Sequence, residues 1–158
     1  MGIVGLIISV LIFWPRVTLE YGEPVDPENS LSATFTVVNS TFIVPLQDVA
    51  VKMGVCQIMF GSNPLNLRGR CNNSDPITWS KPEWYHHRLT ADERYGISFG
   101  DLINPGPGAK LSGADVSVVV TYQWWFIPIK CRKVYRFVTR VQSDGKLHWY
   151  SQPLDEGL

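Results

Sequence analysis

An all-β fold, an immunoglobulin-like antiparallel β-sandwich preceded by a short N-terminal hydrophobic helix, is predicted by three features of the chain. After residue 16, apolar residues recur at every second position, the period of a strand with one face buried. Gly, Pro, Asn and Asp break that alternation at short intervals, as turns between strands require. No stretch after residue 16 sustains a helical period, and the spacing of the runs suits a sandwich better than any α/β arrangement. A chain of 158 residues is long enough to bury one core without metal or disulfide staples.

Val17, Leu19 and Tyr21 alternate with Thr18 and Glu20 in a first strand, and the loop GEPVDPENS follows. Ala33, Phe35 and Val37 alternate with Thr34 and Thr36 in a second, which stops at Asn39-Ser40. Val49, Val51, Met53 and Val55 share a face of a third, whose alternation breaks near Gly54 to Gln57 and so predicts a bulge. Residues 61–94 are irregular, with short strand candidates around Ile77 to Trp79 and from Trp84 to Leu89. Tyr95, Ile97 and Phe99 then alternate after a polar turn. The strongest strand places Val116, Val118, Val120, Tyr122, Trp124 and Phe126 on one face, opposite Ser117, Thr121 and Gln123. Its partner runs from Lys130 to Val141, with Tyr135, Phe137, Thr139 and Val141 on one side and Lys130, Arg132, Arg136 and Arg140 on the other. Asp144-Gly145 between alternating runs signals a hairpin into Leu147 to Tyr150. Seven to nine short strands are expected.

Before this body stands GIVGLIISVLIFW, residues 2–14, uncharged and closed by Pro15 and Arg16. As a helix it spans roughly 20 Å, short of the about 30 Å of a bilayer's hydrocarbon core. A cleaved signal, a buried segment of the fold and a short signal-anchor compete for it. No basic residue precedes the run and no Ala-x-Ala follows it, while Trp14 and Arg16 end it as residues at a lipid interface do. The expectation is an anchor over residues 1–16, a sandwich domain over 17–152 and a tail over 153–158, with the domain outside the cytoplasmic membrane.

Fourteen Lys and Arg balance fourteen Asp and Glu, so no net field gathers a polyanion, and a nucleic-acid partner is not expected. Nucleotide-binding, hydrolase-elbow, zinc-protease and EF-hand motifs are absent from the sequence. Three cysteines, Cys56, Cys71 and Cys131, show no CxxC spacing and permit at most one bridge. They read as small buried hydrophobes. His86 and His87 are adjacent, so a strand sends them to opposite faces, where they could not jointly hold one metal without distortion, and a pocket of one of them with Cys71 and Asp92 is the less favoured reading beside two polar surface histidines. No cofactor or metal is expected. Asn39-Ser40-Thr41 and Asn72-Asn73-Ser74 match the glycosylation triplet, a pattern that chance supplies often.

The aromatic residues Trp79, Trp84, Tyr85, Trp124, Trp125 and Trp149 remain as candidates for recognition, because exposed planar rings stack on sugars or bury in a protein partner. Trp124 belongs to the core face of its strand. Trp84, Tyr85 and Trp125 are the better candidates for exposure, and the row Lys130, Arg132, Arg136 and Arg140 forms a basic stripe at strand spacing. That stripe suits anionic headgroups or an acidic partner, or equally a solvated face that guards a strand from aggregation.

The stretch FTVVNSTFIVPLQDVAVKMGV resembles the second and third strands of bacterial cell-adhesion-related (CARDB-like) and water-stress (WHy) sandwich domains, and LTADERYGISFGDL resembles their turn-and-strand element. FWPRVTLE and RFVTRVQSDGKLHWYSQP resemble a group of small bacterial proteins with a hydrophobic N-terminus and one sandwich domain. The resemblance implies fold and anchoring, and supplies no catalytic residues. The expected function is a non-enzymatic, membrane-tethered sandwich that binds or organises cell-envelope components, with the membrane met through residues 1–16 and a protein or glycan as partner. The alternative is a carbohydrate-binding module built on the exposed rings.

Overall fold

The computed structural model describes residues 14, 16–22, 29–41, 43–61, 84–103, 108–125 and 128–153, and for Trp84 the backbone alone. The expected N-terminal helix, the strand candidate around Ile77 to Trp79 and the tail from residue 154 lie outside these. Among the described residues no helix is long and apolar enough to cross a membrane.

Among the described residues eight strands, a 3-10 turn at Ser30–Ser32 and one short α-helix occur, the strands and α-helix in the order β1 (Val17–Tyr21), β2 (Thr34–Asn39), β3 (Leu46–Phe60), β4 (Trp84–Leu89), β5 (Arg94–Ser98), α1 (Phe99–Ile103), β6 (Leu111–Trp124), β7 (Lys130–Val141) and β8 (Leu147–Gln152). They build two antiparallel sheets, one of three strands ordered β1-β2-β5 and one of five ordered β4-β3-β6-β7-β8. This is the two-layer, all-β architecture that the alternation predicts. Two strands are longer than expected, because β3 and β6 run as paired ribbons through register shifts at Gln47/Ala50, Val55/Gln57 and Met59/Phe60 instead of ending there.

The shifts keep the apolar side of β3 inward. Leu46, Val49, Val51, Met53, Val55 and Ile58 all join the core although their spacing is not strictly two, since Asp48 and Cys56 are the extra residues of two bulges. Asp48 takes φ 49°, a left-handed conformation that Asp tolerates better than most residues. From β6 come Val116, Val118, Val120 and Tyr122, and from β7 Phe137. The aromatic centre is Phe35, fully buried, with ring centroids 4.9 Å from Phe137, 5.4 Å from Trp149 and 6.0 Å from Phe99. Phe35 thereby joins β2 of one sheet to β7 and β8 of the other.

Phe99, expected to continue β5, still donates its N–H to Ala33 O at 2.8 Å, but opens α1. Leu102 and Ile103 lie three and four residues on, so one helical turn buries all three side chains on one side. At the other end of β2, Asn39 is fully buried and acts as a clasp. Its two side-chain N–H groups serve Val44 O, Leu89 O and Thr90 O, each at 3.0 Å, while Oδ1 accepts from Thr41 N at 3.0 Å. The glycosylation triplet at Asn39 is thus a structural element, with its amide enclosed between the sheets.

Candidate functional site

The five-stranded sheet turns Gln47, Ala50 and Lys52 of β3, Ser117, Thr121 and Gln123 of β6 and Lys130, Arg132, Arg136 and Arg140 of β7 away from the core, by the alternation that buries their neighbours. On this outer face lies a concavity of about 370 Å³, lined by Asp48, Ala50, Lys52, Tyr85, Thr121, Tyr122, Gln123 and Lys130. Ala50 forms its floor because a methyl group there leaves room between longer neighbours on β4 and β6, with which it is in register at Tyr85 and Thr121.

The bulge on β3 decides how this wall is made. Asp48, displaced from the ladder, accepts a hydrogen bond from Tyr85 Oη, and its Oδ1 stands 3.6 Å from His87 Nδ1. The hydrogen bond to the Asp48 carboxylate is the first cause that holds the Tyr85 phenol above its ordinary pKa, with desolvation and the same negative charge adding to it. The ring of Tyr85 is therefore fixed by its hydroxyl while 54% of its surface remains exposed. Around it stand two ammonium groups, an amide and a hydroxyl. Among the described lining residues Asp48 is the one carboxylate. The arrangement is suited to holding a polar ligand against a ring.

The candidate residues read from the sequence fall in different places. Tyr85 and Lys130 meet in the concavity. Trp125 is 55% exposed just beyond the end of β6, and Trp84 opens β4 in register with Val51. The basic stripe shares one face but not one role. Arg136 is largely enclosed and grips Asp115 with two hydrogen bonds, Nε to Oδ1 at 3.0 Å and Nη2 to Oδ2 at 2.8 Å. Arg140 stacks 5.9 Å over the ring of Tyr150, and Arg132 is exposed in register with Thr121. Trp149 belongs to the core, whereas Trp124 is half-buried, 5.8 Å from the ring of Trp14.

The histidines part as adjacent strand residues must. His86 lies 4.8 Å from the Tyr95 ring and 3.7 Å from Glu93 Oε1, while His87 faces Asp48. No cluster of three His, Cys, Asp or Glu side chains with metal-binding geometry occurs among the described residues. The cysteines are not three equivalent small hydrophobes: Cys56 is disulfide-bonded and Cys131 is a free, half-buried thiol. Reading the sequence missed Asp48 and Lys52. The sign of Asp48 was present in LQDVAV, where apolar residues at 46, 49 and 51 break the period of two.

Compared with protein-family models, with curated proteins and with solved structures, the chain finds no match.

Proposed function

We propose that this chain is a non-enzymatic, membrane-tethered β-sandwich that binds or organises cell-envelope components through the outer face of its five-stranded sheet. The observation that carries the reading is the concavity beside Tyr85, where an exposed ring held by Asp48 stands among Lys52, Thr121, Gln123 and Lys130. Residues 1–16 are its anchor, and the domain lies outside the cytoplasmic membrane, in the periplasm or at the cell surface. The disulfide at Cys56 supports that side, because such bonds persist in oxidising compartments and are rare in the cytosol. The sandwich is of the immunoglobulin-like kind: the orders β1-β2-β5 and β4-β3-β6-β7 resemble the A-B-E and C′-C-F-G sheets of that architecture, with β8 as an added edge.

A photoreactive side chain at Gln123 of the full-length chain, expressed in cells, tests the reading. Adducts with envelope components are expected from Gln123 and not from a control at Lys146, in the β7–β8 turn. Equal or no labelling from the two positions contradicts it. A second reading, a carbohydrate-binding module, is favoured by the exposed Tyr85 ring beside hydrogen-bonding Thr121 and Gln123. It expects retention on insoluble envelope polysaccharide that Tyr85→Ala abolishes and Trp125→Ala weakens. No retention of the parent chain ends that reading.

A further inference from the structure

We infer that one end of the sandwich, formed by Trp14 and the β2–β3 and β6–β7 connections, lies in the headgroup region of the bilayer, giving the domain a membrane contact of its own beyond the anchor. The inference rests on the anchored reading of residues 1–16. Its ground is the distribution of exposed apolar surface. Large hydrophobic side chains that protrude among the described residues are Trp14, Tyr21, Ile43, Tyr85, Trp125, Ile129 and Val141. Four of these, Trp14, Ile43, Trp125 and Ile129, sit on three separate connections, each more than half exposed.

Topology brings the three connections to the same end. Val17 is in register with Asn39, so the entry to β1 and the exit from β2 lie side by side. Leu46 is in register with Trp124, and Gln123 with Lys130, which sets the entry to β3, the exit from β6 and the entry to β7 together in the other sheet. The sheets are joined here by the Trp14–Trp124 ring contact and by Val17 O, which accepts from Tyr135 Oη at 2.6 Å and Lys133 Nζ at 3.1 Å. The apolar run of residues 2–14 reaches the domain at this end, since Trp14 is its last residue.

That combination has the chemistry of a bilayer interface. Trp at the level of the headgroups, isolated Ile side chains that gain by leaving water, and cations that meet phosphate are what the interface selects. Arg16, Lys130 and Arg132 supply exposed cations next to the four apolar side chains. The remaining connection at this end, Thr90 to Glu93, carries Asp92 and Glu93, so the contact is made by the β1, β6 and β7 side and the domain leans away at β4 and β5. A rigid hold on the lipid-facing loops follows from Arg16, whose N–H donates to Thr41 Oγ1 at 3.1 Å and whose carbonyl accepts from Ser40 N at 2.9 Å.

Full-length chain reconstituted in phosphatidylcholine–phosphatidylglycerol vesicles tests the inference. In a Cys131→Ser background, an environment-sensitive label is placed through Ile43→Cys, Ile129→Cys or Val141→Cys. Val141 is as exposed as the other two but belongs to the far end of β7. Lipids with a nitroxide in the headgroup region are expected to quench the labels at 43 and 129 several-fold more than the label at 141. Equal quenching at the three positions, with the chain still retained in the membrane pellet after alkaline carbonate, overturns the inference and leaves the anchor standing. The same result is produced if a second copy or residues 1–13 cover the patch, since neither brings a nitroxide to it. Release of the chain by carbonate with no quenching anywhere overturns the anchored reading as well.

Discussion

Asn39 carries more of the fold than its size suggests. Leu89 and Thr90 end β4 and enter the turn to β5, while Val44 precedes β3, so a single amide closes both sheets at one end. Replacing it by Ala leaves three carbonyls and the Thr41 N–H without that partner in a buried place. Asn39→Ala is expected to cost about 2–3 kcal/mol in urea unfolding, the range for stranding buried polar groups. Nearby, Glu93 Oε2 accepts from Thr90 N at 2.6 Å and Thr90 Oγ1 at 2.8 Å. The backbone hydrogen bond, then the hydroxyl, then His86 hold its carboxyl below the ordinary range. A carboxyl lowered by folding stabilises the native state above its unfolded pKa, and that contribution is lost as pH falls through the folded value. Glu93→Gln should therefore lower the melting temperature at pH 7, and by progressively less as the pH falls below the ordinary carboxyl range, a trend that thermal scans across pH will show. Burial acts in the opposite direction on Tyr122, pushed up to about 12 by desolvation first and by Cys131 and Tyr135 second. Its contribution is present at neutral pH and lost as pH rises from about 10 toward 12, and Tyr122→Phe should flatten that alkaline limb of the stability curve.

Among the elements, β2 depends on Phe35 to hold the small sheet against the large one. Phe35→Ala opens a cavity between Phe99, Phe137 and Trp149, and is expected to cost about 3–5 kcal/mol in chemical denaturation. The strands that alternate cleanly were legible from the sequence. Val116, Val118, Val120 and Tyr122 announce β6, and Asp144-Gly145 announces the β7–β8 hairpin, where Gly145 takes φ 76° and Lys146 N bonds Asp144 Oδ1 at 2.9 Å. The helix α1 was missed because Phe99 completes two patterns at once, the alternation of Tyr95 and Ile97 and the helical set with Leu102 and Ile103. The concavity was legible only in fragments. Thr121 and Gln123 fall on the outer side of β6 by parity, but the meeting of Tyr85 with Asp48 depends on β4 pairing with β3 across a long connection, which no local pattern encodes.

At the scale of the whole molecule, a polar outer face, a protruding apolar end and a disulfide at Cys56 are the features on which the proposed place outside the reducing cytosol rests. Reduction of that disulfide should lower unfolding free energy by about 2–4 kcal/mol, read by denaturation with and without reductant. The central claim is that the sandwich is tethered with its domain outside the cytoplasmic membrane. It is tested most directly by protease accessibility of a C-terminal tag in intact cells, spheroplasts and lysed membranes, combined with carbonate extraction. Protection in intact cells, cleavage in spheroplasts and retention in the carbonate pellet are the predicted results for a periplasmic domain, and cleavage already in intact cells with the same retention for a surface one. Protection in spheroplasts that is lost only on lysis, or release of the chain by carbonate, contradicts the account.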